Sequence, residues 1–321
     1  MRFNIFKSHR FLPFVKLVII HHFLTNHLKM HSLVWENEIF IKVACEIQLC
    51  IEKLKYDKMG DVNEYRRIEN REIHNGVTKV KILAFDTSNQ PLSVGIIDGD
   101  TILTEQLINI KRNHSIQLMP AIEEALKQAN SKLEEIDRIA VGSGPGSYTG
   151  LRIAVTVAKS LAWAKKIELV GISSLKVIAA NHVAASDHYI VPIIDARREN
   201  IYTGLYKRKA DGELIEVSED RHIASAEYAT QLAKKEGTFE LIGLDAPQFY
   251  DTFREVLGNR VTLAHPTLHA PRASSLAFLA KNEEVIPAHE LVPSYLKLAE
   301  AEENWLNENP DFKGDDWVEK V

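Results

Sequence analysis

From residue 80 onward the apolar positions follow two alternating rhythms. Short unbroken runs, such as VKILAF (Val80–Phe85), IAV (Ile139–Val141) and VPII (Val191–Ile194), have the pattern of buried strands. Between them lie longer stretches with apolar residues three or four apart. Ile122, Ala125, Leu126 and Ala129 form one such stripe, and Leu151, Ala154, Val155, Ala158, Leu161 and Ala162 form another. Taken in order, the pattern predicts strands at 80–86, 91–98 and 101–108, then a helix that 114–120 leads into and that ends at Asn130. A strand at 138–141, a helix over 151–165, a strand at 168–172 and a helix over 173–181 follow. The sequence then starts again, with two strands within 191–206 and a third at 213–217. A helix over 226–235, a strand at 240–243, a helix over 247–257 and a strand at 260–264 complete the second series. The tail comprises 273–280 and 292–305.

Set side by side, ILAFDTSNQPLSVGIIDGDTIL and PIIDARRENIYTGLYKRKADGELI share one plan of strand, Asp, turn, strand, turn, strand. This repeat predicts two similar α/β lobes related by a pseudo-two-fold axis, at 80–187 and 188–321 with a C-terminal helical tail. Residues 1–79 do not share the pattern. They carry 13 Lys+Arg against 9 Asp+Glu, while the remainder carries 26 against 35. The apolar stretch Phe11–Leu24 is broken by Pro13, Lys16, His21 and His22 and is too short for a membrane span. A helix is expected over 39–54, followed by a charged, linker-like stretch. The segment 1–79 is expected to be disordered or foreign to the native protein, with translation starting near Val77 or Val80.

The stretch Ile139–Trp163, IAVGSGPGSYTGLRIAVTVAKSLAW, joins a strand to a helix through Gly142, Gly144, Gly146 and Gly150. Glycine permits close backbone approach there, and Ser147 or Thr149 can cap the helix. A strand, a Gly-rich turn and a helix N-terminus could cradle an anion. Neither the phosphate-loop spacing nor the dinucleotide fingerprint is present, however, which favours a tight turn that packs the helix onto its sheet. The helix is apolar around most of its girth, with only Arg152, Thr156 and Lys159 as a polar stripe that Trp163 extends. One side can cover its own sheet; the other needs a neighbouring helix or a second chain.

Composition narrows the function. The body is acidic, which argues against a stand-alone nucleic-acid binder. Its only cysteines, Cys45 and Cys50, precede it, so it has no disulfide framework, and a reducing cytoplasm is expected. A two-lobed repeat with an Asp ending the first strand of each lobe points to the actin-like ATPase (ASKHA) architecture, with duplicated βββαβα lobes. In that architecture two Gly-rich turns grip nucleotide phosphates. Here the turns 86–91 and 195–200 contain no glycine, and the later Gly243 stands alone. Asp86 and Asp195 could form a catalytic pair, but acids at such positions more often bind turn amides. No catalytic, cofactor-binding or metal residue is assigned.

ILAFDTS, SGPGSYTGLRIAVTVAKSLA, PIIDARRENIY and VPSYLKLAEAEENW resemble the TsaB (YeaZ) family, from about Val80 to Trp305. That resemblance implies a non-catalytic subunit of tRNA threonylcarbamoyladenosine synthesis. Its partner would be the paralogue TsaD, which holds a metal and transfers the threonylcarbamoyl group to the adenosine next to the anticodon, with the ATPase TsaE joining through the complex. tRNA would be met only through the complex, no membrane would be involved, and a homodimer could form when TsaD is absent. The paired His that holds the TsaD metal aligns with Ser174 and Ile178, which do not form such a site. His182 lies one turn further on, with no second His at helical spacing before it. His114, at the start of the first helix, receives no chemistry. A kinase or a metal-dependent peptidase of the same superfamily would need the phosphate turns or the His pair. The partner interface is expected on the two long helices of the first lobe, at Ile116, Met119, Arg152, Ile153, Val157, Lys159 and Trp163.

Overall fold

The structure, a computed structural model, describes residues 73–74, 77–109, 114–182 and 188–297. The helix expected over 39–54, the apolar stretch 11–24 and the tail beyond 297 lie outside the described residues. Contacts divide the chain into two units, 1–79 and 80–321. The first contains an antiparallel strand pair, β1 (Ile73–His74) and β2 (Val77–Thr78).

The second unit contains two five-stranded mixed sheets built on one plan. In the first, β3 (Lys81–Asp86), β4 (Leu92–Asp98) and β5 (Thr101–Ile108) form an antiparallel meander. The turn from β4 to β5 places Gly99 in the left-handed region, at φ 58°. β6 (Arg138–Gly144) and β7 (Glu168–Ser173) add on in parallel, giving the order β5-β4-β3-β6-β7. In the second sheet β8 (Tyr189–Asp195), β9 (Asn200–Arg208) and β10 (Leu214–Ala224) repeat the meander, with β11 (Phe239–Ile242) and β12 (Val261–Leu263) in parallel. The order β10-β9-β8-β11-β12 matches the first sheet position by position. This is the duplicated actin-like architecture that the repeat predicts.

Helices fill the same places in both halves. α1 (His114–Gln128) and α2 (Tyr148–Lys165) share a core with one face of the first sheet. α4 (Ser225–Ala233) and α5 (Ala246–Leu257) do the same on the second. α3 (Ser174–Ala180) lies between the sheets, with Val177 in a core on the first sheet and Leu175, Ile178 and Ala179 in a core on the second. α6 (Ala273–Ala280) returns to the first sheet. There Ala273, Leu276, Ala277 and Ala280 pack on Ile82, Ala84, Ile97 and Ala140. Glu105 of β5 fixes the start of α6: its carboxylate accepts from the Ser274 amide at 2.8 Å and hydroxyl at 2.6 Å and pairs with Arg272.

α1 starts at His114, so Pro120 lies inside it. Pro120 and Ile116 are four residues apart on the exposed face, where the carbonyl that loses its partner remains open to water. Of the expected tail, 273–280 is the helix α6, whereas 292–297 is not helical, nor is the stretch 281–291 that leads to it. They run along the first lobe instead. The Ile286 amide donates to the Leu169 carbonyl, Ser294 donates to Ser143, and Leu291 enters the core.

Candidate partner interface

The glycine turn after β6 packs against the protein's own first hairpin turn. The Ser147 amide donates to the Ser88 carbonyl at 2.7 Å, and Thr87 Oγ1 donates to the Gly150 carbonyl at 2.7 Å. A Cβ on Gly150 would overlap the Thr87 carbonyl oxygen, and one on Gly146 the Ser88 oxygen. Ser147, not Thr149, caps α2 through a bond from the Gly150 amide. The space where an anion would meet this helix start is occupied by backbone, in keeping with the packing role read from the sequence.

Asp86 is fully buried beneath this turn. Its Oδ1 accepts from the Ser88 amide at 2.6 Å, and its carboxyl rests where a Gly142 side chain would be, 2.7 Å from that Cβ position. Burial pushes the carboxyl above the usual carboxylate range, and the bonds from Ser88 oppose that shift only in part. Asp195 makes the corresponding contact, with Oδ1 accepting from the Arg197 amide at 2.8 Å, while its own amide donates to Asp245. Both acids bind turn amides. The second turn runs through three left-handed residues, Arg197, Arg198 and Glu199, at φ 70°, 54° and 60°. Asn200 Nδ2 holds it by donating to the carbonyls of Arg197 and Arg198. Gly243 approaches its own sheet: a Cβ there would overlap the Ile193 carbonyl oxygen. His114 Nε2 is 3.0 Å from the Gln90 carbonyl, tying α1 to the first turn.

Ser174 is buried and accepts from the Gly144 amide at 3.2 Å, and Ile178 is packed in the core between α3 and the second sheet. From the sequence no metal residue is assigned, and the isolated protein is expected to retain no stoichiometric metal. Elsewhere His182, His188 and Glu240 converge. The second His follows His182 rather than preceding it, and the Glu comes from β11, so spacing along the helix did not reveal the group.

α1 and α2 both run opposite to β6, since each connects back to the start of a strand parallel to it. They lie side by side on the first sheet, as expected. Their core-facing residues mix alanines, Ala121 and Ala125 on α1 and Ala154, Ala158 and Ala162 on α2, with Leu118, Ile122, Leu151 and Val155. Large residues remain outside: Ile116 is 70% exposed, Met119 38% and Trp163 79%. Arg152 is exposed too and lies over the Tyr148 ring, 5.2 Å from its centroid; Tyr148 in turn stacks on Tyr295.

Three of the expected interface residues are placed differently. Ile153 and Val157 are half-buried and pack against the first core, because the neighbouring helix and sheet reach further round α2 than the sequence stripe suggests. Lys159 is held within the chain, its Nζ donating to the Leu291 carbonyl at 2.7 Å and the His289 carbonyl at 3.3 Å. Trp163 is ten residues along α2 from Ile153, about 15 Å at the helical rise, so it marks the far end of the face.

Comparisons with known proteins agree with this architecture. The family model of TsaD, tRNA N6-adenosine threonylcarbamoyltransferase, matches residues 101–305. The tRNA threonylcarbamoyladenosine biosynthesis protein TsaB of Bacillus subtilis (strain 168) is 41% identical over 225 residues, 70% of this chain and 97% of that one. The tRNA N6-adenosine threonylcarbamoyltransferase of Listeria monocytogenes serotype 4b (strain F2365) is 35% identical over 129 residues, 39% of this chain and 36% of that one. Among solved structures, YeaZ from Pseudomonas aeruginosa matches with a TM-score of 0.58 at 25% identity, over 68% of this chain and 100% of that one.

Proposed function

The chain belongs to the TsaB family, and from that premise we propose that it is the non-catalytic subunit supporting TsaD as TsaD transfers a threonylcarbamoyl group to the adenosine next to the anticodon of tRNA. The observation that carries the non-catalytic part is the filled first turn. Asp86, the acid that a kinase or ATPase of this fold would direct at a nucleotide, is fully buried, and the backbone of Thr87 and Ser88 occupies the helix start. The packed Ser174 and Ile178 oppose a peptidase-type metal centre at the family's usual place.

TsaD is the proposed partner, and α1 and α2 are the proposed docking face, with Ile116 and Met119 as its apolar anchors and Arg152 and Trp163 at its border. The local similarity to a threonylcarbamoyltransferase supports this reading, since two chains of one fold can present the same helix pair to each other. A second copy of this chain would then occupy the face when TsaD is absent. TsaE and tRNA would be met through the complex, in the cytoplasm. No helix among the described residues is long and apolar enough to cross a membrane.

The test is reconstitution of tRNA modification from TsaD, TsaE and the enzyme that makes the threonylcarbamoyl donor, with and without this chain. Modification is expected only with it, and to persist with Asp86→Asn. It is also expected to persist when the chain starts at Val80, since we take 1–79 to be dispensable for this activity. Full modification in its absence would refute the reading.

A further inference from the structure

Where α3 ends, three side chains from separate parts of the chain meet. His182 follows the α3 cap residue Asn181, His188 immediately precedes β8, and Glu240 is the second residue of β11, paired in register with Ile190. Nε2 of His182 and Nε2 of His188 are 3.3 Å apart. Glu240 Oε2 is 3.1 Å from the first and 3.7 Å from the second. These lengths fit one face of a coordination tetrahedron. The point equidistant from the three atoms lies about 2.0 Å from each, matching Zn–N and Zn–O bond lengths.

From this convergence we infer that His182, His188 and Glu240 form a site for a divalent transition metal, zinc by its donor set, that clips the end of α3 to the neighbouring strands β8 and β11. Two imidazole nitrogens and one carboxylate oxygen are a borderline-hard set suited to zinc, and three protein ligands leave a fourth position for water.

Hydrogen bonding alone accounts poorly for the cluster. Two ring nitrogens face each other, so only one can donate, and Glu240 Oε2 is buried without an aligned hydrogen bond. A buried oxygen left so is costly, whereas a shared cation would use all three lone pairs. His182 is itself buried, and an imidazole binds a metal through the lone pair of an unprotonated ring nitrogen. The nearby cation Arg208 has its donors committed to the carbonyls of Ala180, His182 and Gly212. The site differs from the 174/178 place and is independent of the partner reading.

The test uses the full chain, stripped with chelator, reloaded with zinc and desalted. Other histidines in the chain can bind zinc loosely, so the readout is the difference between wild type and two variants, Glu240→Gln and His188→Ala. Wild type is expected to retain one more equivalent of zinc than either variant, to show the visible absorption of tetrahedral cobalt when loaded with Co2+, and to gain thermal stability on zinc addition that the variants do not. Glu240→Gln preserves shape and keeps the comparison valid should His188→Ala fold poorly. Equal zinc content and equal thermal shifts in wild type and a folded Glu240→Gln would overturn the site.

Discussion

The two lobes have helices at the same two positions of one topology, but the pairs differ in what they leave exposed. α4 and α5 put their bulk inward, with Tyr228, Leu232, Phe249, Phe253 and Leu257 all in the second core. Among the described residues of that pair only Val256 is a large apolar side chain left exposed. α1 and α2 bury five alanines together with Leu118, Ile122, Leu151 and Val155, and they leave Ile116, Met119 and Trp163 outside. Large apolar side chains grouped on an outer face suit a docking surface. The two scaffolds share one plan, and the outer positions of the first helix pair are the ones we propose for a second chain.

The largest expected effect concerns glycine. Gly150→Ala would drive a methyl group into the Thr87 carbonyl, where backbone meets backbone, and is expected to cost about 3 kcal/mol or more. Gly258→Ala, at the end of α5, meets nothing within 4 Å and costs only the backbone strain of φ 60° with ψ −128°, about 1–3 kcal/mol. Chemical denaturation of both variants checks the order, and equal losses would mean that the Thr87 backbone yields to the added methyl group.

Next comes the surface. Ile116→Glu is expected to leave folding unchanged and weaken binding to TsaD, and any self-association, by about 2 kcal/mol, roughly thirty-fold. Val256→Glu, the matched change on the other pair, is expected to do neither. Mass in solution and titration calorimetry separate the two. Val157→Glu is a blunter probe, since Val157 is half-buried and a charge there also disturbs the core.

The smallest effect is a pH dependence. Burial raises the folded-state pKa of Asp86 above its unfolded value. Its contribution is therefore complete below the unfolded pKa of about 4 and is lost as pH rises through the raised value. Wild type is expected to lose stability relative to Asp86→Asn across that interval. Melting temperatures of the pair measured from pH 4 to pH 7 test the sign, and parallel profiles would mean that Asp86 is not titrating in its buried site.

The features legible in the sequence were those that repeat or punctuate. The two Asp-turn meanders, the glycine turn with its Ser147 cap and the packing of α1 beside α2 each depend on residues close together in the chain. What escaped depends on distance. Glu240 joins His182 only because β11 pairs with β8, and no local spacing encodes that pairing. Lys159 resembles an open border charge until residues 289–291 pass beside it. Ile153 and Val157 occupy the outer stripe of a helical wheel, but a wheel does not show how far a neighbouring helix extends.

The return of α6 to the first sheet has a consequence for how the protein is made. Ile82, Ala84, Ile97 and Ala140 are among the first residues of this unit to leave the ribosome, yet apart from Val177 of α3 the helical side chains that cover them begin at Ala273. Throughout synthesis of the second lobe the nascent chain therefore displays an apolar sheet face that only α3 covers in part. Glu105 likewise waits for the Arg272 and Ser274 that it will hold. The lobe that is translated first is completed last, so a chain truncated before Ala273 would lack a finished half and have an exposed sheet prone to aggregation.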